Sequence, residues 1–252
     1  MLAVIQAELL KLHHSRILLV AIAVPLVAVL TGTFNYQLNA GSGIGSGWES
    51  LWSQVVVFYS LFFMSMGIAV LAAAVWRMEH QGSNWNALMT TTVPPFRIVT
   101  AKTTVLILLI IVMQFVLVAG TWIAGVTIAG LQGAMPALVV PVAALAVVAG
   151  GAVAAWQSLL SMLIRSFATP LALGLVGIIV GVVVPMAGYT KLAYVLPYSL
   201  VGRTLATGSV AVSDAAGLNL GQVGVILGTG IALIVAGLLV STWLLRHRDV
   251  RI

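Results

Sequence analysis

Long stretches without any charged residue constrain this chain more than any other feature. No Asp, Glu, Lys or Arg occurs from 103 to 164, and similar uncharged windows cover 17–48, 50–76, 166–190 and 215–245. A helix crosses the hydrocarbon core of a bilayer with about 20 apolar residues, and a charge at its centre costs about 2.5–3.5 kcal/mol on insertion scales. The pattern therefore predicts an all-α integral membrane protein.

Composition excludes several other classes of protein. Only 6% of the residues are charged, so a water-soluble domain of this length would lack the polar surface that it needs. The chain has no cysteine, which excludes a disulfide framework, thiol catalysis and a Cys-ligated metal. Its formal net charge is +6, but the basic residues lie at the ends of apolar runs and form no basic stripe. We therefore expect no nucleic-acid partner.

The uncharged windows divide into six predicted transmembrane helices. The window from 103 to 164 is about twice the necessary length, and LQGAMP at 131–136 breaks it with residues typical of a turn. We treat residues 1–252 as a single transmembrane domain. Its spans are predicted near 17–38, 51–76, 103–130, 137–163, 168–188 and 218–245.

The distribution of Lys and Arg predicts which side each connection faces. An even number of spans puts both termini on one side, and cytoplasmic segments carry the excess of positive charge. With the termini inside, the outer connections hold only Lys191 and Arg203 of the 11 Lys and Arg residues. This bias places both termini in the cytoplasm.

The N-terminal segment predicts a helix lying on the cytoplasmic leaflet. Glu8 and Lys11 are spaced to pair at i,i+3, and we assign residues 1–16 to this interfacial helix. A simple extension of the first span is the alternative. One helical face carries most of its apolar residues, namely Leu2, Ile5, Leu9 and Leu12.

A polar segment, EHQGSNWNALMTTT at 79–92, interrupts the apolar chain on the predicted cytoplasmic side. Ser83 is suited to cap a helix there, and Pro94 and Pro95 would end it. Such a helix places Trp85, Leu88 and Met89 on one face. The segment is either an interfacial loop anchored by tryptophan or a docking element for a cytoplasmic partner.

A few neutral polar groups lie within the predicted spans. Uncharged amides in membrane helices usually hydrogen-bond a neighbouring helix, and a position along a translocation path is the alternative. The candidates for such a path are Gln54, Tyr59, Gln114 and Gln157. Two GxxxG patterns, Gly177/Gly181 and Gly224/Gly228, would permit close helix contacts.

Motifs of catalysis are missing from the sequence. No GxxxxGK[ST] phosphate loop occurs, so the chain has no visible ATP site of that kind, and HExxH and GxSxG are also missing. His13 and His14 point about 100° apart on a helix and have no nearby carboxylate, so we predict no metal site. The spans contain no ionisable group away from their ends. We therefore expect no enzymatic activity and no cofactor bound by this chain.

Three segments together resemble the membrane subunits of type-2 ABC exporters. These are AELLKLHHSR before the first span, RMEHQGSNWNALMTTTVPPFRIVTAK between the second and third spans, and LPYSLVGR before the last span. The closest resemblance is to the permeases of lantibiotic-immunity and related drug-export transporters. The resemblance covers the whole chain.

The resemblance implies an assembly and a position for each segment. Two permease subunits, identical or related, would pair in a bacterial cytoplasmic membrane, and two separate ATPase subunits would bind ATP and Mg²⁺ below them. Residues 1–16, with Glu8 and Lys11, match the elbow helix of the family, and residues 189–217 match its re-entrant outer helices. Substrate would pass between the paired subunits, flanked by the second and fifth spans. The ATPase-coupling helix would contain Glu79, Asn84, Trp85, Asn86, Leu88 and Met89.

The implied function is ATP-driven export of a hydrophobic or amphipathic substrate, such as a lantibiotic or a drug. An ion-coupled secondary transporter is one alternative, and the scarcity of charge within the spans argues against it. A membrane anchor or sensor subunit that transports nothing is the other alternative. Association with a soluble ATPase would distinguish the exporter from both.

Overall fold

A computed structural model describes residues 1–13, 15–39, 46–82, 84–85, 90–207, 209 and 219–247. Within these residues the chain forms helices and no strand. The α-helices are α1 (Leu2–His13), α2 (Ile17–Leu38), α3 (Trp48–Phe58), α4 (Met64–His80), α5 (Pro95–Thr127), α6 (Val139–Leu163), α7 (Ala168–Met186), α8 (Pro197–Ala206) and α9 (Leu220–His247).

Six helices are long and apolar enough to cross a membrane, which confirms the predicted number of spans. The second span is continuous from Trp48 to His80, because a π-helical turn at Tyr59–Phe63 joins α3 to α4. The third begins at Pro95 rather than near 103. Uncharged windows mark only the apolar part of a helix, and α5 continues through Lys102 because that side chain is paired within the protein.

Helix α6 lies at the centre of the bundle and packs against α4, α5, α8 and α9. Most of α6 is buried, and its many alanines and glycines allow neighbouring helices to approach closely. Helices α7 and α9 bury far less of their apolar surface. Their exposed apolar side chains suit contact with lipid or with another membrane subunit.

Helix α1 packs against α5, and its position on the cytoplasmic leaflet stays a prediction. Ile5 and Leu12 contact the main core, whereas Leu2 and Leu9 are exposed. The buried carboxylate of Glu8 lies between Ile5 and Leu12 on the face turned to the bundle. Both apolar packing and ion pairs with other helices therefore hold α1 against the bundle.

The connection from 189 to 217 contains a 3₁₀-helix at Leu192–Tyr194 and then α8. Helix α8 begins with Pro197 at its first turn and packs against α6, α7 and α9. A Cβ atom at Gly181 would lie 2.9 Å from the backbone nitrogen of Ser199, so the glycine permits this close contact. Gly224 and Gly228, in contrast, face open space in the described part of the chain. Insertion of α8 into the outer interface stays a prediction.

Candidate functional site

Four charged side chains from three helices meet at the predicted cytoplasmic end of the bundle. We call Glu8, Lys11, Glu79 and Lys102 the four-charge cluster. The Lys102 Nζ atom lies 2.7 Å from Glu8 Oε2 and 2.8 Å from Glu79 Oε1. The Lys11 Nζ atom lies 2.8 Å from Glu8 Oε1 and 2.7 Å from Glu79 Oε1. The predicted Glu8–Lys11 pair is thus one side of a closed ring that joins α1, α4 and α5.

The four-charge cluster is buried and electrically balanced. Lys102 is fully buried, the two carboxylates are nearly so, and the side chain of Lys11 is 38% exposed. Burial by itself would lower the pKa of Lys11, but the hydrogen bonds that it donates to Glu79 and Glu8 outweigh burial and raise its pKa. Since desolvated charges are tolerated only when paired, each member depends on the others.

Trp76 contacts the cluster and connects it to α6, and His80 beside it also bonds to α6. The Lys102 ammonium lies 5.1 Å from the ring centroid of Trp76, and the Trp76 indole donates a 2.6 Å hydrogen bond to Ser158 Oγ. His80 Nε2 lies 2.9 Å from the carbonyl oxygen of Ser161. Trp85 stacks on the His80 ring with a centroid separation of 5.1 Å. Trp85 is therefore anchored to the end of the bundle through His80.

The predicted coupling residues occupy different positions around this anchor. Glu79 belongs to the four-charge cluster and is buried, so any role in coupling would act through that cluster. Trp85 is half-buried against Trp76 and His80, while Asn84 is exposed and donates to the Met78 carbonyl oxygen at 2.8 Å. Ser83, Asn86, Leu88 and Met89 lie outside the described residues. Their common face and the coupling role of the whole set stay predictions.

The four polar residues proposed for a translocation path all bond to neighbouring segments of the chain. Gln54 accepts a 2.6 Å hydrogen bond from Asn35, and Gln114 donates a 3.0 Å hydrogen bond to the Tyr59 hydroxyl. Gln157 donates to the Pro170 carbonyl oxygen at 2.6 Å. These contacts are those expected of amides that join membrane helices.

Tyr198 of α8 also bonds to Gln157, at the other end of its amide group. Its hydroxyl donates a 2.6 Å hydrogen bond to Gln157 Oε1, and its ring lies directly against Gly177. Gly177 lies nine residues from the end of α7 at Met186. At 1.5 Å per residue, the Tyr198 ring therefore contacts α7 about 14 Å from that end. Helix α8 therefore contacts the interior of the bundle as well as its end.

Beside Tyr198 lies a cavity of about 360 Å³ between α7, α8 and the second span. Its lining is mainly apolar and includes Ser60 and Leu61 of the π-helical turn. Such turns frequently mark functional positions in membrane and soluble helices. None of the four predicted path residues lines this cavity.

The sequence does not predict the cavity, the place of Lys102 in the four-charge cluster or the contact of Trp76 with Lys102. The sequence pattern identifies Lys102 only as a basic residue at the end of a span, and Trp76 only as part of the second span. The available signal was the occurrence of Glu79 and Lys102 at the two ends of one cytoplasmic connection. Among the described residues, no group of His, Asp and Glu side chains could hold a metal ion. His14 lies outside the described residues.

The bundle of six apolar helices defines a multi-pass membrane protein. A family model for the ABC-2 family transporter protein matches residues 4–181, more than two thirds of the chain. The chain belongs to this family. It is a permease subunit of an ABC transporter, a class that associates with ABC ATPase partners. No curated protein matched the chain.

Proposed function

We propose that this chain is the permease of an ATP-driven exporter that moves a hydrophobic or amphipathic substrate out of, or off, the cytoplasmic membrane. Membership of the ABC-2 family carries the proposal. An antimicrobial peptide such as a lantibiotic, or a drug, is the cargo that the sequence resemblance favours. Two ATPase subunits and a second permease, identical or related, would complete the transporter, with both termini of this chain in the bacterial cytoplasm.

The segment around Trp85 is the proposed contact with the ATPase. It follows α4 directly, and the stacking of Trp85 on His80 holds it against the helix end. A displacement of this segment would act on α4, and the four-charge cluster ties α4 to α1 and α5 through ion pairs of 2.7–2.8 Å. The connected ends can therefore move as one rigid group when ATP closes the ATPase pair.

Replacement of Trp85 by alanine tests the proposed contact. Tryptophan is the residue type most often found to dominate binding at interfaces. We expect Trp85→Ala to weaken ATPase association about tenfold, equivalent to about 1.4 kcal/mol, and to reduce substrate-stimulated ATP hydrolysis in reconstituted vesicles. Trp243→Ala is the matched control, because Trp243 is an exposed tryptophan at the same end of the bundle.

Unchanged association and hydrolysis in folded Trp85→Ala would refute the coupling assignment. Transport that persists in ATP-depleted vesicles under an ion gradient would instead support the secondary transporter. Purification without any ATPase, together with no transport, would support an anchor or sensor.

A further inference from the structure

The cavity beside α8 has the composition of a ligand site. Its volume of about 360 Å³ falls within the range of roughly 300–1,000 Å³ that is usual for small-molecule pockets. Apolar side chains from three helices form most of the wall, among them Val57, Ile178 and Val182. Leu61 and Met186 also line the cavity and are exposed, so it can be reached from the surface of the chain.

Arg203 is the one ionisable lining residue with a permanent charge in the part of the chain that the structure describes. Its guanidinium lies 4.8 Å from the Tyr194 ring centroid and donates a long, 3.4 Å hydrogen bond to the Tyr194 hydroxyl. No described carboxylate pairs with it. Arg203 is half-buried beside a mainly apolar lining, and a charged group in such surroundings is stabilised by an anionic partner.

Ser199 supplies a second polar group four residues before Arg203. Residues at i and i+4 lie on the same face of a helix, and both line the cavity. The Ser199 hydroxyl is buried and has no hydrogen-bond partner among the described residues. A buried hydroxyl usually finds a partner, so its state here is consistent with a ligand that supplies one.

We propose that this cavity binds an anionic amphiphile, with the apolar chain between α7 and the second span and the phosphate or carboxylate at Arg203. Guanidinium groups bind both anions through paired, charge-assisted hydrogen bonds. The same chemistry is offered by a phospholipid of the membrane and by a soluble amphiphile. The second span and α7 are the second and fifth spans that we expect to flank the substrate, so the proposal rests on the proposed function and adds the charge of the ligand, while binding to one chain is measured separately from transport.

Two substitutions separate the head-group contact from the chain contact. Arg203→Gln removes the charge, and Arg203→Lys keeps it. Gly202→Leu places a side chain where a Cβ atom meets nothing within 4 Å, at a residue that lines the cavity. Gly228→Leu is its control, because a Cβ atom there also meets nothing within 4 Å but the residue does not line the cavity.

The test is native mass spectrometry of the full chain in a neutral maltoside detergent, titrated with dodecyl phosphate and with dodecyltrimethylammonium. A hydrogen bond to a charged group contributes about 1.5–3 kcal/mol, so we expect the phosphate to bind about tenfold more tightly or better. Arg203→Gln should remove that preference and Arg203→Lys should retain most of it. Gly202→Leu should weaken binding of both probes, whereas Gly228→Leu should not.

Competition by phosphatidylglycerol, but not by phosphatidylcholine, would identify a membrane lipid as the source of the head group. Failure of phosphatidylglycerol to compete would identify a soluble amphiphile. Equal binding of the two probes would overturn the proposal, as would a preserved preference in Arg203→Gln. If inorganic phosphate bound as tightly as dodecyl phosphate, the apolar part of the cavity would contribute nothing to binding. Thermal unfolding of each variant shows that Arg203→Gln and Gly202→Leu fold, and none of these outcomes depends on an ATPase partner.

Discussion

Replacement of Lys102 by methionine is expected to destabilise the protein by about 3–5 kcal/mol, because it breaks a buried ion pair by removing one partner. Methionine is of similar length and apolar, so the change removes the charge with little loss of packing. Glu8 Oε2 loses its partner in the four-charge cluster, and Glu79 Oε1 keeps only Lys11. Two nearly buried carboxylates then share one partly exposed ammonium.

The measurement is thermal unfolding in mixed micelles, followed by circular dichroism and tryptophan fluorescence. For a chain of this length, each kcal/mol of lost stability lowers the thermal midpoint by about 2–4 °C. The expected destabilisation therefore lowers the midpoint by an amount on the order of 10 °C. Lys191→Met is the control, because Lys191 is an exposed lysine in the connection at the opposite end. We expect it to change the stability little.

A double-mutant cycle distinguishes ion pairing from packing. Glu79→Gln combined with Lys102→Met leaves Glu8 with Lys11, so the remaining charges are balanced. The double variant should be less destabilised than the sum of the two single variants by about 1 kcal/mol or more. Additive losses, or a Lys102→Met variant as stable as Lys191→Met, would refute the view that mutual pairing stabilises the cluster.

Two further substitutions test the contacts around the bundle centre. The added methyl group of Gly177→Ala would overlap the Tyr198 ring, so this variant should lose about 1–3 kcal/mol of stability. Gly228→Ala is the control, because its methyl group meets open space and should leave the stability unchanged or slightly higher. Thermal unfolding of the two variants measures the difference. Trp76→Phe removes the hydrogen bond to the buried Ser158 hydroxyl and should cost about 1–3 kcal/mol. Stability equal to wild type in the same assay would show that this bond contributes nothing.

The sequence predicts the number of spans because the cost of a buried unpaired charge is large and local. It predicts their ends less well, since a charge can lie within a helix when a partner elsewhere in the fold neutralises it. Lys102 shows this: its partners are 23 and 94 residues away along the chain. Nothing in the local pattern around it indicates those contacts.

The same limit applies to the polar residues within the spans. The sequence identifies Gln157 as unusual but contains no information on its bonding partner. Tyr198, which bonds to it, lies in a segment whose short helices were predicted without a position relative to α7. The cavity next to Tyr198 exists because three non-adjacent segments meet there, so periodicity in any one of them could not reveal it.

Two adjacent residues of α6 connect the four-charge cluster to the cavity beside α8. Ser158 accepts the hydrogen bond of Trp76, whose ring lies beside Lys102 of the four-charge cluster. Gln157 accepts the hydrogen bond of Tyr198, which lines the cavity beside α8. A shift of Trp76 driven from the cytoplasmic end would therefore act on the same turn of α6 that positions Tyr198. Because packed interiors transmit strain, we expect this turn to couple the proposed ATPase contact to the cavity.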